Sequence, residues 1–179
     1  MTGPAHNVER RAAMELRAVS GRRLAGYAAT WNSEAKIGSF TETITRGAFA
    51  ASLASGKDIL ALVDHQPTAL LARTGSGTLR LSEDARGLAF EIDVPQTTLG
   101  NDVLALAERG DLGGMSFGFR TVAEAWPARD RRELRAVDLV EISIVQAFPA
   151  YGETEIVARA HGADLTAARL RKIILETIG

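Results

Sequence analysis

The chain reads as a mainly β protein with a few helices, an antiparallel barrel or sandwich carrying helices on its outside. Two observations predict this. Many short stretches alternate apolar and polar residues with period two, separated by turns. The regular strand–helix alternation of a doubly wound sheet is missing, and only two or three segments carry a helical stripe.

The first alternating stretch covers residues 14–19, where Leu16 and Val19 are among the apolar positions. Gly21 turns it into a second strand over 23–31, and residues 40–44 form a third. Residues 46–54 change period, with Phe49 and Leu53 four apart on one helical face. The unbroken apolar run 59–63 has the length of a buried strand and ends at Asp64, His65, Gln66 and Pro67, where the proline stops regular continuation. Strands over 78–81 and 88–94 are joined by the polar loop 82–87 as a hairpin. Residues 99–109 place Val103, Leu104, Leu106 and Ala107 in a helical stripe, and Gly110 supplies a C-terminal stop. Strand character returns over 113–120 and, after the charged turn 129–133, over 134–145. Residues 163–178 predict a terminal helix.

The length of 179 residues suits one domain with a core of its own. Residues 1–13, with Pro4, His6, Glu9, Arg10 and Arg11, lack an apolar stretch and read as a flexible leader; 14–159 form the barrel domain, and 160–179 a C-terminal helix or tail. With 21 Lys and Arg against 22 Asp and Glu, the formal net charge is -1, which offers no electrostatic reason for a nucleic acid or membrane partner. The absence of cysteine excludes disulfides, a thiol nucleophile and thiolate-held metal. Three scattered histidines suggest no metal site, and no cofactor motif is present.

Three positions carry candidate chemistry. His65 leaves a buried strand at its end, where an imidazole can be held on one side and meet a substrate on the other. A lone histidine there also fits a purely hydrogen-bonded role. Ser116 alternates with Met115 and Phe117 and shares a face with Gly118 and Arg120, so the missing side chain of Gly118 leaves room beside its hydroxyl. Small residues also serve simply to line a crowded wall. Glu141 lies in an apolar strand, where an acid needs a partner. Period two places it with Leu139, Ser143 and Val145, and places Asp138 on the other face. Either acid could orient an imidazole or pair with an arginine. Serine, histidine and an acid form the constellation of nucleophilic acyl transfer, recognised by its geometry. No G-x-S-x-G elbow is present, which lowers the esterase reading of the same groups.

Several segments together resemble the caudoviral prohead proteases. They are Leu62-Val63-Asp64-His65, Gly113-Gly114-Met115-Ser116-Phe117-Gly118-Phe119, and Leu139-Val140-Glu141-Ile142-Ser143-Ile144-Val145 followed by Phe148-Pro149-Ala150. Leu24-Ala25-Gly26-Tyr27-Ala28 and Ile44-Thr45-Arg46-Gly47-Ala48-Phe49 are similar to that family as well, in the same order. The resemblance implies a closed barrel surrounded by helices, akin to the herpesvirus assemblin proteases. It also implies a serine endopeptidase with Ser116 as nucleophile, His65 as base and Glu141 as third member, with Asp138 in reserve. The oxyanion donors are placed among the backbone amides of 146–152. The implied substrates are the scaffold or the N-terminal extension of the major capsid protein, and then the protease itself, with cleavage at an exposed loop such as 161–163 releasing the tail. The implied setting is the assembling prohead in the host cytoplasm, for a phage, a prophage or a gene transfer agent, and the implied assembly is a homodimer or an assembly-dependent oligomer. A non-catalytic scaffold or head protein on the same barrel is the main rival, and an unrelated β-barrel binding module the next.

Overall fold

A computed structural model describes residues 8–147 apart from Met14 and Ser20. The strands are β1 (Glu9–Ala13), β2 (Glu15–Val19), β3 (Arg23–Thr30), β4 (Ala35–Ile37), β5 (Phe40–Ile44), β6 (Leu60–Val63), β7 (Gln66–Arg73), β8 (Leu79–Glu83), β9 (Gly87–Asp93), β10 (Gly114–Ala128) and β11 (Arg131–Val145). Two helices interrupt them, α1 (Ala50–Ala54) and α2 (Thr98–Arg109). The Thr97 side chain caps α2 by accepting from Gly100 N at 3.1 Å. Gly110, at a φ of 74°, ends it in the left-handed region that glycine enters without strain.

The mainly β reading holds, but the closed barrel does not. The strands form two open sheets. One has seven strands in the order β1-β10-β11-β5-β4, with β6 pairing β11 and β7; the other has the order β2-β3-β9-β8. The first sheet is also mixed. β11 runs parallel to β5 through residues 131–134 and parallel to β6 through residues 141–144, so one long strand serves two partners on the same edge. Because β4, β7 and β1 each pair on one side only, no ladder among the described residues returns to close the sheet.

The two sheets bury a common core. Leu24, Leu88, Phe90 and Ile92 come from the second sheet, and Phe117, Phe119, Leu134, Ile142 and Ile144 from the first. Phe117 sits at the centre, 5.6 Å from the ring of Phe49 and 5.4 Å from that of Phe119. Burying a residue of that size contributes roughly 2–3 kcal/mol by transfer alone.

Three strands went unanticipated. Glu9–Ala13, within the segment read as a leader, pairs antiparallel with β10. β7 begins at Gln66 and contains Pro67, tolerated because the register passes from Val63↔Gln66 to Leu62↔Leu70 and leaves residues 67–69 unpaired with β6. β4 has three residues, too few to show a period. The segments beyond Ala147, including the predicted helix 163–178 and the loop 161–163, lie outside the described residues.

Candidate functional site

His65 owes its position to a tight turn. Asp64 and His65 form the two-residue link between β6 and β7, with Val63 paired to Gln66 across it. Both have positive φ, 47° and 59°, the mark of a type I′ hairpin turn usually built from Asn and Gly. Two non-glycine residues in the left-handed region cost about 1 kcal/mol each, so the turn must be held from outside. Asp64 N donates to Ile144 O at 2.9 Å, and Asp64 Oδ1 accepts from Gln146 N at 3.0 Å. The parallel register of β6 and β11, with Val63 opposite Ile144, therefore carries directly into the place where the imidazole sits.

The imidazole meets Glu141. His65 Nδ1 and Glu141 Oε1 are 2.6 Å apart, and the other carboxylate oxygen, Oε2, accepts from Ser143 Oγ at 2.6 Å. Ser143 Oγ in turn accepts from His65 N at 3.3 Å. Arg10 Nε lies 4.0 Å from Glu141 Oε1. Glu141 is 6% exposed, and these contacts are what make a carboxylate tolerable there. An ionised carboxylate on Nδ1 selects the tautomer with the proton on Nδ1, which leaves the Nε2 lone pair to accept a proton from elsewhere.

Ser116 stands beside this pair. It is directly opposite Ser143 in the β10–β11 ladder, and Gly118 is directly opposite Glu141. Opposed residues share a face with Cβ atoms ~4.5–5.5 Å apart, so Ser116, Gly118, Glu141 and Ser143 form one cluster under the His65 turn. The room beside Ser116 that Gly118 leaves is occupied. A Cβ on Gly118 would lie 2.5 Å from Glu141 Oε1, so the glycine accommodates the acid. Ser116 itself is 3% exposed, and its hydroxyl donates to the Arg11 carbonyl at 2.7 Å. In this state the hydroxyl is directed to β1 and not to His65.

Asp138 is elsewhere engaged. Its Oδ1 meets Lys57 Nζ at 2.9 Å, and its Oδ2 lies 3.7 Å from Arg120. The period-two reading placed it on the face opposite Glu141, and the structure corrects this. The register passes from Gly118↔Glu141 to Phe119↔Leu139, so Val140 is an extra residue in β11. The bulge moves the core phase from Leu139 to Ile142, so Leu139 leaves the face of Glu141 and Asp138 joins it, opposite Arg120. Of the amides proposed for an oxyanion, Gln146 N is committed to Asp64, and Phe148 to Gly152 lie outside the described residues.

β1 is anchored from the opposite face by a buried charge cluster that sequence reasoning did not foresee. Arg132 is 8% exposed and Glu42 is 2% exposed. Arg132 Nη1 holds Glu9 at 2.6 Å and Glu42 at 2.9 Å, while Arg11 Nε meets Glu42 at 2.5 Å. Burial pushes the Glu9 carboxyl up, but hydrogen bonds from Arg132 and Thr121 and the charges of Arg132 and Arg11 outweigh it and hold the group at about 2. The hydrogen bonds that Arg132 donates to Glu9 in turn raise Arg132 above its ordinary range. The sequence signal was available only in pairs of distant residues, since Glu9 and Arg132 lie far apart along the chain.

A groove along the second sheet, lined by Leu16, Tyr27, Arg80, Leu81 and Phe90 among others, contains none of the clustered residues. Among the described residues there is no group of His, Asp and Glu able to hold a metal ion, and no helix long and apolar enough to cross a membrane.

A family model described as caudovirus prohead serine protease matches residues 9–168. The chain belongs to that family. The match begins at the first residue of β1 and takes in the His65 turn, β10 and β11, so the family spans the whole clustered site. Membership in the prohead serine proteases supports a serine peptidase role in phage head maturation. No curated protein and no solved structure matches the chain.

Proposed function

We propose that this prohead protease is a serine endopeptidase in which Ser116 is the nucleophile, His65 the general base and Glu141 the residue that orients the imidazole. The observation that carries the reading is the 2.6 Å contact between His65 Nδ1 and Glu141 Oε1 on the face that Ser116 shares. In the reaction, the Ser116 hydroxyl turns from the Arg11 carbonyl toward His65. Its oxygen attacks the scissile carbonyl as its proton passes to Nε2, and the imidazolium then protonates the leaving amine. Water repeats the sequence to release the acyl group. Glu141 stabilises the imidazolium throughout. Asp138 is left to its ion pair with Lys57.

The substrates under this reading are the scaffold or the N-terminal extension of the major capsid protein, followed by the protease itself. The place of action is the assembling prohead in the host cytoplasm, and a homodimer or an assembly-dependent oligomer is the active form. The turn of Ser116 away from Arg11 is a step that assembly could control.

The test is co-expression of the chain with the neighbouring major capsid protein, with Ser116 intact or changed to Ala, followed by intact-mass analysis. Processing that disappears in Ser116→Ala supports the nucleophile; a triad acting as a unit loses on the order of 10⁴-fold or more in rate. Equal processing by both proteins removes Ser116 from the mechanism. No processing by either, in particles that still assemble, favours the non-catalytic head protein.

A further inference from the structure

We propose that Ser143 is a positioning residue, which locks the Glu141 carboxylate and the His65 turn into one rigid unit; the inference rests on the triad reading above. Ser143 is fully buried, at 0% exposure, in a strand whose inward neighbours Ile142 and Ile144 are equally buried. A hydroxyl in such a place needs partners, and this one has two, both belonging to the site. It donates to Glu141 Oε2 at 2.6 Å and accepts from His65 N at 3.3 Å.

The two bonds do different things. The donated bond fixes the rotation of the carboxylate, because a planar group held at Oε2 can present only Oε1 to His65 Nδ1. Without it the carboxylate can swing about its last torsion, whose energy profile is broad. The accepted bond ties the main chain of His65, a residue at positive φ, to the strand that bears the acid. Ser143 thus joins base and acid through a single oxygen, and its own hydrogen is committed to Glu141. That commitment separates it from Ser116, whose hydroxyl rests on a main-chain carbonyl of the edge strand β1 and can be redirected.

A packing role for Ser143 would be filled by any side chain of similar volume, whereas a positioning role requires a good donor. Cysteine separates the two, being close in size and weak as a donor. The experiment uses the full chain as wild type, Ser143→Ala, Ser143→Cys, Glu141→Gln, the Ser143→Ala/Glu141→Gln double variant, and Ser116→Ala. One readout is the saturation kinetics of labelling by a fluorophosphonate probe, followed by intact mass. The other is the exchange-protected Nδ1 proton of His65, observed by NMR on histidine-labelled protein, which needs no activity.

We expect Ser143→Ala and Ser143→Cys to label about 10- to 100-fold more slowly, the rate equivalent of one hydrogen bond to a charged group, with half-saturation unchanged. The protected Nδ1 proton is lost in both. In the Glu141→Gln background, Ser143→Ala costs less than about threefold, because the two residues act on one element. Labelling of Ser143→Cys within about twofold of wild type with the proton intact overturns the proposal, as does an undiminished loss in the Glu141→Gln background. Labelling that survives Ser116→Ala overturns the nucleophile assignment instead, and the proton measurement still decides Ser143. If Ser143→Ala does not fold, Ser143→Cys carries both readouts.

Discussion

Adding one methyl group at Gly118 should damage both catalysis and stability. The Cβ of Gly118→Ala would lie 2.5 Å from Glu141 Oε1, 3.1 Å from its carboxyl carbon and 3.2 Å from Cγ. Ordinary carbon contacts begin at ~3.5 Å, so the carboxylate must retreat by about 1 Å or β10 must yield. The carboxylate has no slack, because its two oxygens are held at 2.6 Å by His65 and by Ser143. A displaced carboxylate cannot keep both bonds. Misplacing a catalytic group by ~1 Å costs about 100-fold in rate, and we expect that loss in kcat with KM little changed. Overpacking costs a further ~1–3 kcal/mol of stability. Processing of co-expressed capsid protein measures the first effect and urea denaturation the second. In a Glu141→Ala background the methyl has space, so its stability cost should vanish. Wild-type processing by Gly118→Ala at unchanged stability would refute the reasoning, since it would mean that the acid's position is not fixed by the opposite strand.

Two further outcomes follow from the strand and turn that frame the site. Glu9 has its carboxyl lowered from an ordinary 4.5 to about 2, so its contribution is full above about 4.5 and is lost as pH falls through about 2. Linkage caps that contribution at about 3 kcal/mol, and screening at a side chain 28% exposed brings it to roughly 1–2 kcal/mol. Glu9→Gln should therefore cost that amount in urea denaturation at pH 7 and converge on wild type near pH 2; an equal gap at both values would contradict it. Asp64→Val should cost about 2–3 kcal/mol, combining a β-branched residue at φ 47° with loss of the bond to Gln146 N. Asp64→Gly keeps the backbone free and should stay within about 1 kcal/mol of wild type, so equal stability of the two variants would show that the turn is not held as described.

The core was largely legible in the sequence because its residues obey period two within single strands. Met115, Phe117 and Phe119 point inward as their alternation predicts, and each is at most 1% exposed. The Gly110 stop was equally visible, since it depends on one residue's own conformation. Closure was not legible, because it depends on which edges meet, and the parallel pairing of β11 with both β5 and β6 leaves no trace in either sequence. β7 was hidden for a related reason. Pro67 marks the end of a strand only where its missing N–H would be needed, and in the bulged stretch 67–69 it is not. The residues of the candidate site were named in advance, yet their environment was not. The sequence suggests an open face at Gly118, whereas the acid fills it, and Ser143 shared the face of Glu141 without a role.

The bulge at Val140 explains how one strand can serve both core and site. Between Leu139 and Ile142 the core-facing phase slips by one residue, so Leu139, Ile142 and Ile144 are all buried inward. With strict alternation, Leu139 in the core would send Glu141 in after it and turn Ile142 and Ile144 out. An unpaired carboxylate would then enter the aromatic cluster around Phe117, a burial that costs several kcal/mol. The extra residue avoids this and holds Glu141 and Ser143 on the outer face, where β6 delivers His65. The parallel register opposite Ile144 then places the imidazole two residues beyond Val63, across the two-residue turn. The site's precision therefore comes from two ladders meeting on β11: the antiparallel one with β10 brings Ser116 and Gly118, and the parallel one with β6 brings His65. Each ladder is pinned by core residues on the other side of the same strand, so a slip that displaced Ser116, Glu141 or His65 would also expose Phe117 or Ile144.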